Sequence, residues 1–215
     1  MPIDVKICGL STAPTLQAAI DGGAAYVGFN FYPPSPRAVT AAAASGLAAS
    51  VPAGVVKTAL FVDPSDDDLA AVLEAVPIDL LQLHGGETPA RVAEIRQRFA
   101  RPVMKVIKLR APTDLAAADG YLAVADRLMF DAKPPADLAG ALPGGNAISF
   151  DWHMLAGRRW PLPWMLAGGL TAANLAEAVA VTGADTLDVS SGVETAPGQK
   201  DPALIAGFLA AAKAL

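Results

Sequence analysis

The chain has 215 residues, 53% of them hydrophobic and 17% charged, which suits one well-buried globular domain over 1–215. Its net charge is −5 with a pI near 4.9, and Lys and Arg form no stripe, so nucleic acid is disfavoured as a partner and any anion must be held in a local pocket. The Ala-rich run 38–56 is broken by Ser45, Gly46, Ser50 and Pro52 and cannot span a bilayer; with no secretory signal and a single cysteine, the expected setting is the reducing cytoplasm, with no membrane contact.

In chain order, the segment 4–12 comes first. Val5 and Ile7 mark a buried strand, Gly9 ends it, and Ser11 or Thr12 can cap a helix with Pro14 near its start. Cys8 therefore stands at the carboxyl end of a strand. Lys6, two residues earlier, shares its face and brings a cation toward the thiol. A lone cysteine in an apolar strand is either a small buried hydrophobe or a reactive group, and the rest of the chain must decide between them.

Seven more apolar runs follow, at 26–31, 56–62, 80–84, 103–109, 127–131, 163–167 and 186–189. Helical segments alternate with all eight, at 13–20, 40–49, 65–76, 88–99, 112–124, 150–155, 172–181 and 202–213. Strands that read as continuous apolar runs between helices predict a parallel sheet covered on its outer face. Eight such units in this length predict an α/β fold, a single (β/α)8 barrel of the TIM type. A doubly wound open sheet is the alternative, but no Gly-x-Gly-x-x-Gly follows an early strand.

In such a barrel the functional groups stand after the strands, at their carboxyl ends. There the sequence places Cys8, Arg37 in a Pro-rich loop expected to be mobile, His84, Asp131 with Lys133, Gly144-Gly145-Asn146, Gly168-Gly169, and Asp188 with Ser190-Ser191-Gly192. Glycines at these ends let backbone N–H groups converge, as a phosphate needs, and the loops after strands 7 and 8 are the usual barrel phosphate site. Tight turns are the plainer explanation of any one of them. Asp66-Asp67-Asp68 fits the first turn of a helix, where the macrodipole favours negative charge. His84 and His153 have no metal-ligand spacing, so neither a metal nor another cofactor is expected.

Taken together, Lys6-Ile7-Cys8-Gly9-Leu10, Gly28-Phe29-x-Phe31 with Ser35-Pro36-Arg37, Gln82-Leu83-His84-Gly85 with Glu87, Phe150-Asp151-Trp152, Ala167-Gly168-Gly169-Leu170 with Asn174, and the segment 188–194 followed by Pro197-Gly198-x-Lys200-Asp201 resemble the phosphoribosylanthranilate isomerases of tryptophan biosynthesis over essentially the whole chain. The family often has Gly where Ala147 stands and Leu-Asp where Phe130-Asp131 stands.

The resemblance implies an Amadori rearrangement of N-(5-phosphoribosyl)anthranilate, with Cys8 as base and Asp131 as acid. It implies Arg37 on the anthranilate carboxylate and Asp188 accepting from the amine or a ribose hydroxyl. His84 stands behind the catalytic groups. The glycines and serines listed above, with Asn146, take the phosphate.

Two expectations follow for the acid and the base. Cys8 should titrate below ~8.5. Asp131, whose ordinary value is ~3.9, should hold its proton through burial beside Phe130 while Lys133 opposes. A monomer or homodimer acting on a small molecule is expected. Another phosphosugar-barrel enzyme, or a barrel that only binds a phosphometabolite, would share the phosphate end but not the acid and base.

Overall fold

Short apolar runs bounded by capped helices give eight parallel strands that close on themselves. The computed structural model describes residues 3–134 and 143–215; Met1 and Pro2, at the start of the stretch read for a targeting signal, lie outside them. The strands are β1 (Asp4–Cys8), β2 (Tyr26–Asn30), β3 (Val56–Phe61), β4 (Leu80–Leu83), β5 (Val103–Leu109), β6 (Arg127–Ala132), β7 (Trp164–Leu166) and β8 (Thr186–Val189). Each pairs with the next, and β1 closes the barrel on β8 in the register Asp4 to Thr186 and Lys6 to Asp188.

The helices are α1 (Ala13–Asp21), α2 (Ala41–Ala48), α3 (Asp66–Ala75), α4 (Pro89–Phe99), α5 (Leu175–Thr182) and α6 (Pro202–Lys213). Their starts have local causes. Thr40, Ser65, Thr88 and Asp201 each accept a hydrogen bond from a backbone N–H of the first turn, satisfying a donor the helix leaves free. The acidic run does structural work, as expected: Asp68 closes a capping box with Ser65, and Asp66 pairs with Arg91 and Arg98. Thr12 precedes α1 but makes no side-chain cap; its hydroxyl lies 2.8 Å from that of Thr15.

Two helical expectations are only partly met. Over Pro112–Tyr121 the chain forms a 3-10 helix, for which the local sequence offers no evident reason. Before β7 only one 3-10 turn forms, Trp152–Leu155, because the Gly-rich segment from 143 to 149 crosses the barrel mouth and Gly157, Pro161 and Pro163 stop further helix. Beyond β8 the chain adds a hairpin that the apolar pattern did not announce, β9 (Glu194–Ala196) and β10 (Gln199–Lys200).

Alternation along the strands divides the core in two. Tyr26, Leu80, Met104, Val106, Met129, Met165 and Ala167 fill the barrel, while the larger cluster lies between strands and helices. The interior faces of β2 and of β4 to β7 therefore run from this apolar plug up to the polar mouth, while β1 and β8 bring Lys6 and Asp188 to the interior.

Candidate active site

The mouth at the carboxyl ends of the strands is a cleft lined by Cys8, Arg37, His84, Asp131, Asp188, Ser190 and Ser191 together with Gly144, Gly145, Asn146, Gly168 and Gly169. Of the residues expected at the strand ends, the structure thus brings together all but two: Lys133, which turns away, and Gly192, which lies just behind. A Cβ at Gly192 would collide with the carbonyl oxygen of Leu170, so glycine is what lets the turns after β7 and β8 touch. Gly168 and Gly169 have φ of 92° and 66°, a backbone that turns β7 directly into the cleft and that side chains resist.

Cys8 and Lys6 occupy successive interior positions of β1. Lys6 is fully buried and donates to Asp188 Oδ1 at 2.8 Å. Gly28 on β2 makes room for it: a Cβ there would stand 3.1 Å from Nζ. Burial alone would lower the Lys6 ammonium, but Asp188 and Cys8 beside it prevail and its pKa is pushed up to about 12. The thiol departs from expectation. Burial pushes Cys8 above its ordinary value, Lys6 pulls it back only in part, and Asp188 adds to the rise. The sequence correctly supplied the cation but not the desolvation of the thiolate, which is the larger effect.

Asp131 projects inward from β6, with Oδ1 accepting from the N–H of Ala132 at 2.8 Å and Oδ2 lying 3.2 Å from His84 Nε2. Its expected neighbours are not its neighbours. Phe130 occupies the opposite face of the strand, where it packs on Trp160 and Trp164 at ring distances of 4.7 and 5.6 Å. Lys133 turns outward to Asp114 at 3.2 Å. Lys108, in register with Asp131 on β5, carries its cation toward that region instead, and burial followed by Lys105 lowers its pKa below the usual lysine value.

Arg37 is not held in a loose loop: it is 5% exposed, with its stem against Gly9 and its head fixed by Glu194. Nε donates to Oε1 and Nη2 to Oε2, each at 2.8 Å, a two-point fork that the sequence reading had reserved for the substrate. Nη2 also donates to the carbonyl of Gly145 at 3.0 Å. Lys200 pairs with the same Glu194 and reaches Ser190 Oγ at 3.2 Å. Burial works against ionisation of Glu194, yet Arg37 and Lys200 hold its carboxyl below the usual range. Glu194 and Lys200, both brought in by the β9–β10 hairpin, are site residues whose roles the sequence did not disclose.

Gly144 lies over His84 and Asp131, where a Cβ would come within 2.6 Å of His84 Nε2, and Gly145 lies against Arg37. These two glycines line the mouth beside His84, Asp131 and Arg37. From the same segment, Ile148 and Ser149 meet Gly169, and Ala147 has φ of 55°, a conformation that glycine adopts at lower cost.

Below the mouth, Lys105 clamps the turn that carries His84. It donates to Glu87 at 2.7 Å and to the carbonyl of Gly85 at 2.8 Å. Burial opposes ionisation of Glu87, but Lys105 and backbone donors outweigh it and lower its pKa.

A closed parallel barrel with titratable groups and glycines gathered at the carboxyl ends of its strands is a (β/α)8 protein with the mouth of an enzyme. The particular family follows: the model for N-(5'-phosphoribosyl)anthranilate (PRA) isomerase matches residues 5–211, and the chain belongs to that family. It is 57% identical over 213 residues to the isomerase of Paramagnetospirillum magneticum, covering 99% of this chain and 98% of the relative, and 57% identical over 215 residues to that of Rhodospirillum centenum, covering both completely. Among solved structures, the phosphoribosyl anthranilate isomerase of Thermotoga maritima superposes with a TM-score of 0.87 at 30% identity, covering 99% of this chain and 100% of that one. Another, in complex with reduced 1-(o-carboxyphenylamino)-1-deoxyribulose 5-phosphate, gives 0.83 at 28% identity with the same coverage.

Proposed function

We propose that this chain converts N-(5-phosphoribosyl)anthranilate to 1-(2-carboxyphenylamino)-1-deoxyribulose 5-phosphate, an Amadori rearrangement in tryptophan biosynthesis, with Cys8 as base and Asp131 as acid. The observation that carries the assignment of roles is that a buried thiol on β1 and a buried carboxyl on β6 line one cleft. Asp131 gives its proton to the ribose ring oxygen, the C1–O bond opens, and the nitrogen lone pair forms the iminium. Cys8, as thiolate, takes the proton from C2. The C2–H electrons become the C1–C2 double bond, the iminium pair returns to nitrogen, and the resulting enolamine becomes the ketose as C1 gains a proton and the C2 hydroxyl loses one. Electrons are conserved within the substrate, so the step calls for no external oxidant or reductant.

The anions at the two ends of the substrate orient it. The outer edge of Arg37, with Glu194 behind it, takes the carboxylate. Gly168, Gly169, Ser190, Ser191 and Gly192 shape the phosphate end, with Asn146 between the two. Asp188, held by Lys6, accepts from the amine or a ribose hydroxyl. We place the enzyme in the cytoplasm as a monomer or homodimer; a Thermotoga maritima relative is described as dimeric, and among the described residues no helix is long and apolar enough to cross a membrane.

The direct test is purified protein with the substrate, following loss of anthranilate fluorescence. No turnover would return the chain to the two rivals, a different phosphosugar enzyme or a phosphometabolite-binding barrel. Two substitutions probe the ends of the cleft. Glu194→Gln should loosen Arg37 and mainly raise KM, by about 10- to 150-fold, for the loss of charged hydrogen bonds worth about 1.5 to 3 kcal/mol. A KM unchanged from the parent would remove Glu194 from carboxylate binding. Gly192→Ala should push the Leu170 carbonyl away and weaken inhibition by inorganic phosphate; equal inhibition would move the phosphate elsewhere.

A further inference from the structure

Directly beneath His84, on the interior face of β4, lies a fully buried amide, Gln82. Its Nε2 stands 3.1 Å from His84 Nδ1 and 3.5 Å from the sulfur of Met129. A thioether carries no proton and can only accept, so the sulfur favours the amide with its NH2 group toward both neighbours, an orientation that leaves Oε1 buried with no hydrogen-bond partner among the described residues. An NH2 group in turn can only donate. His84 Nδ1 must then present its lone pair, and the one proton of the neutral ring must sit on Nε2. That nitrogen is buried, 3.2 Å from Asp131 Oδ2 but off the hydrogen-bond axis, and it has no aligned partner among the described residues.

We infer that Gln82 is a positioning residue that fixes His84 as the Nε2–H tautomer, making it a hydrogen-bond donor aimed at Asp131 and not a base. The inference rests on the reading of Asp131 as the acid. When Asp131 gives up its proton it becomes a carboxylate whose Oδ1 is already held by the Ala132 N–H. A slight turn of the ring lets His84 Nε2–H receive the charge left on Oδ2, so both oxygens are met by donors as ring opening proceeds. The opposite tautomer would turn a lone pair on that carboxylate. Gly144, whose missing side chain leaves the space above Nε2 open, permits the turn.

The tautomer can be read without substrate. The chain has two histidines, His84 and the exposed His153, so long-range proton–nitrogen NMR of the whole protein with 15N-labelled histidine gives two ring patterns, and a His153→Gln variant assigns them. His84 should show an unprotonated-type Nδ1 and a protonated-type Nε2. Gln82→Glu, whose carboxylate only accepts, should invert that pattern and lower kcat by up to about 100-fold, as for a misplaced catalytic partner, with KM little moved. A wild-type ring protonated at Nδ1 would mean that the amide is flipped, and would overturn the inference. So would a Gln82→Glu enzyme with the parental tautomer and kcat. A correct tautomer in a protein that does not turn over the substrate would instead overturn the functional reading while leaving the role of Gln82 in the ring's protonation standing.

Discussion

Asp131→Asn should bind substrate as the parent does and turn it over ~10² to 10⁴ times more slowly, the usual worth of a positioned proton donor. Asparagine keeps the shape and can still accept from the Ala132 N–H that holds Oδ1 at 2.8 Å, so the cleft should survive the change. What it loses is a transferable proton. An open-chain analogue that bypasses ring opening should therefore be rearranged almost normally by the same variant. Steady-state rates on the two substrates separate the outcomes. Failure to rescue the open-chain analogue would move Asp131 to a later step, and full activity on the natural substrate would remove it from the mechanism.

Cys8→Ala should abolish measurable turnover while leaving phosphate-ligand binding intact, since alanine removes only the proposed base and keeps the backbone carbonyl that accepts from Ser190 Oγ at 3.2 Å. The direction of the thiol's shift adds a pH signature. Because burial raises the Cys8 pKa, the thiolate is the minor form near neutrality and grows as pH rises. The base is active when deprotonated, so kcat/KM should climb from neutral into alkaline solution, and alkylation of Cys8 should accelerate over the same range. Lys6, with its pKa pushed up to about 12, stays charged throughout this window. An alkylation rate that is flat above neutrality would mean that the thiol is already ionised there and that Lys6 outweighs burial.

The barrel was legible because each strand is an apolar run and most helices announce their start with a capping residue, as at Ser65 and Thr88. The site was legible as a set of strand ends: a closed parallel barrel brings those ends into one ring whatever their separation in the chain. Pair partners were harder to read. Arg37 meets Glu194 across 157 positions, and nothing in either neighbourhood marks the other, so the fork of Arg37 was given to the substrate. Chain adjacency also misled. Phe130 and Lys133 are close to Asp131 in sequence, but Phe130 lies on the other face of β6 and Lys133 lies past its end, turned to Asp114. The direction of the Cys8 shift depended on how completely the barrel excludes water from the thiol, a property of the whole fold. For Lys6 the two-residue period was enough, because both side chains lie on one short strand.

The most direct measurement compares the wild type with the double variant Cys8→Ala/Asp131→Asn on N-(5-phosphoribosyl)anthranilate, following the loss of anthranilate fluorescence, with inorganic phosphate inhibition or retained ligand binding as the check on folding. The account predicts steady turnover by the wild type and, in a variant that still binds, none above the uncatalysed rate. Equal turnover by the two proteins, or none by a correctly folded wild type, would contradict it.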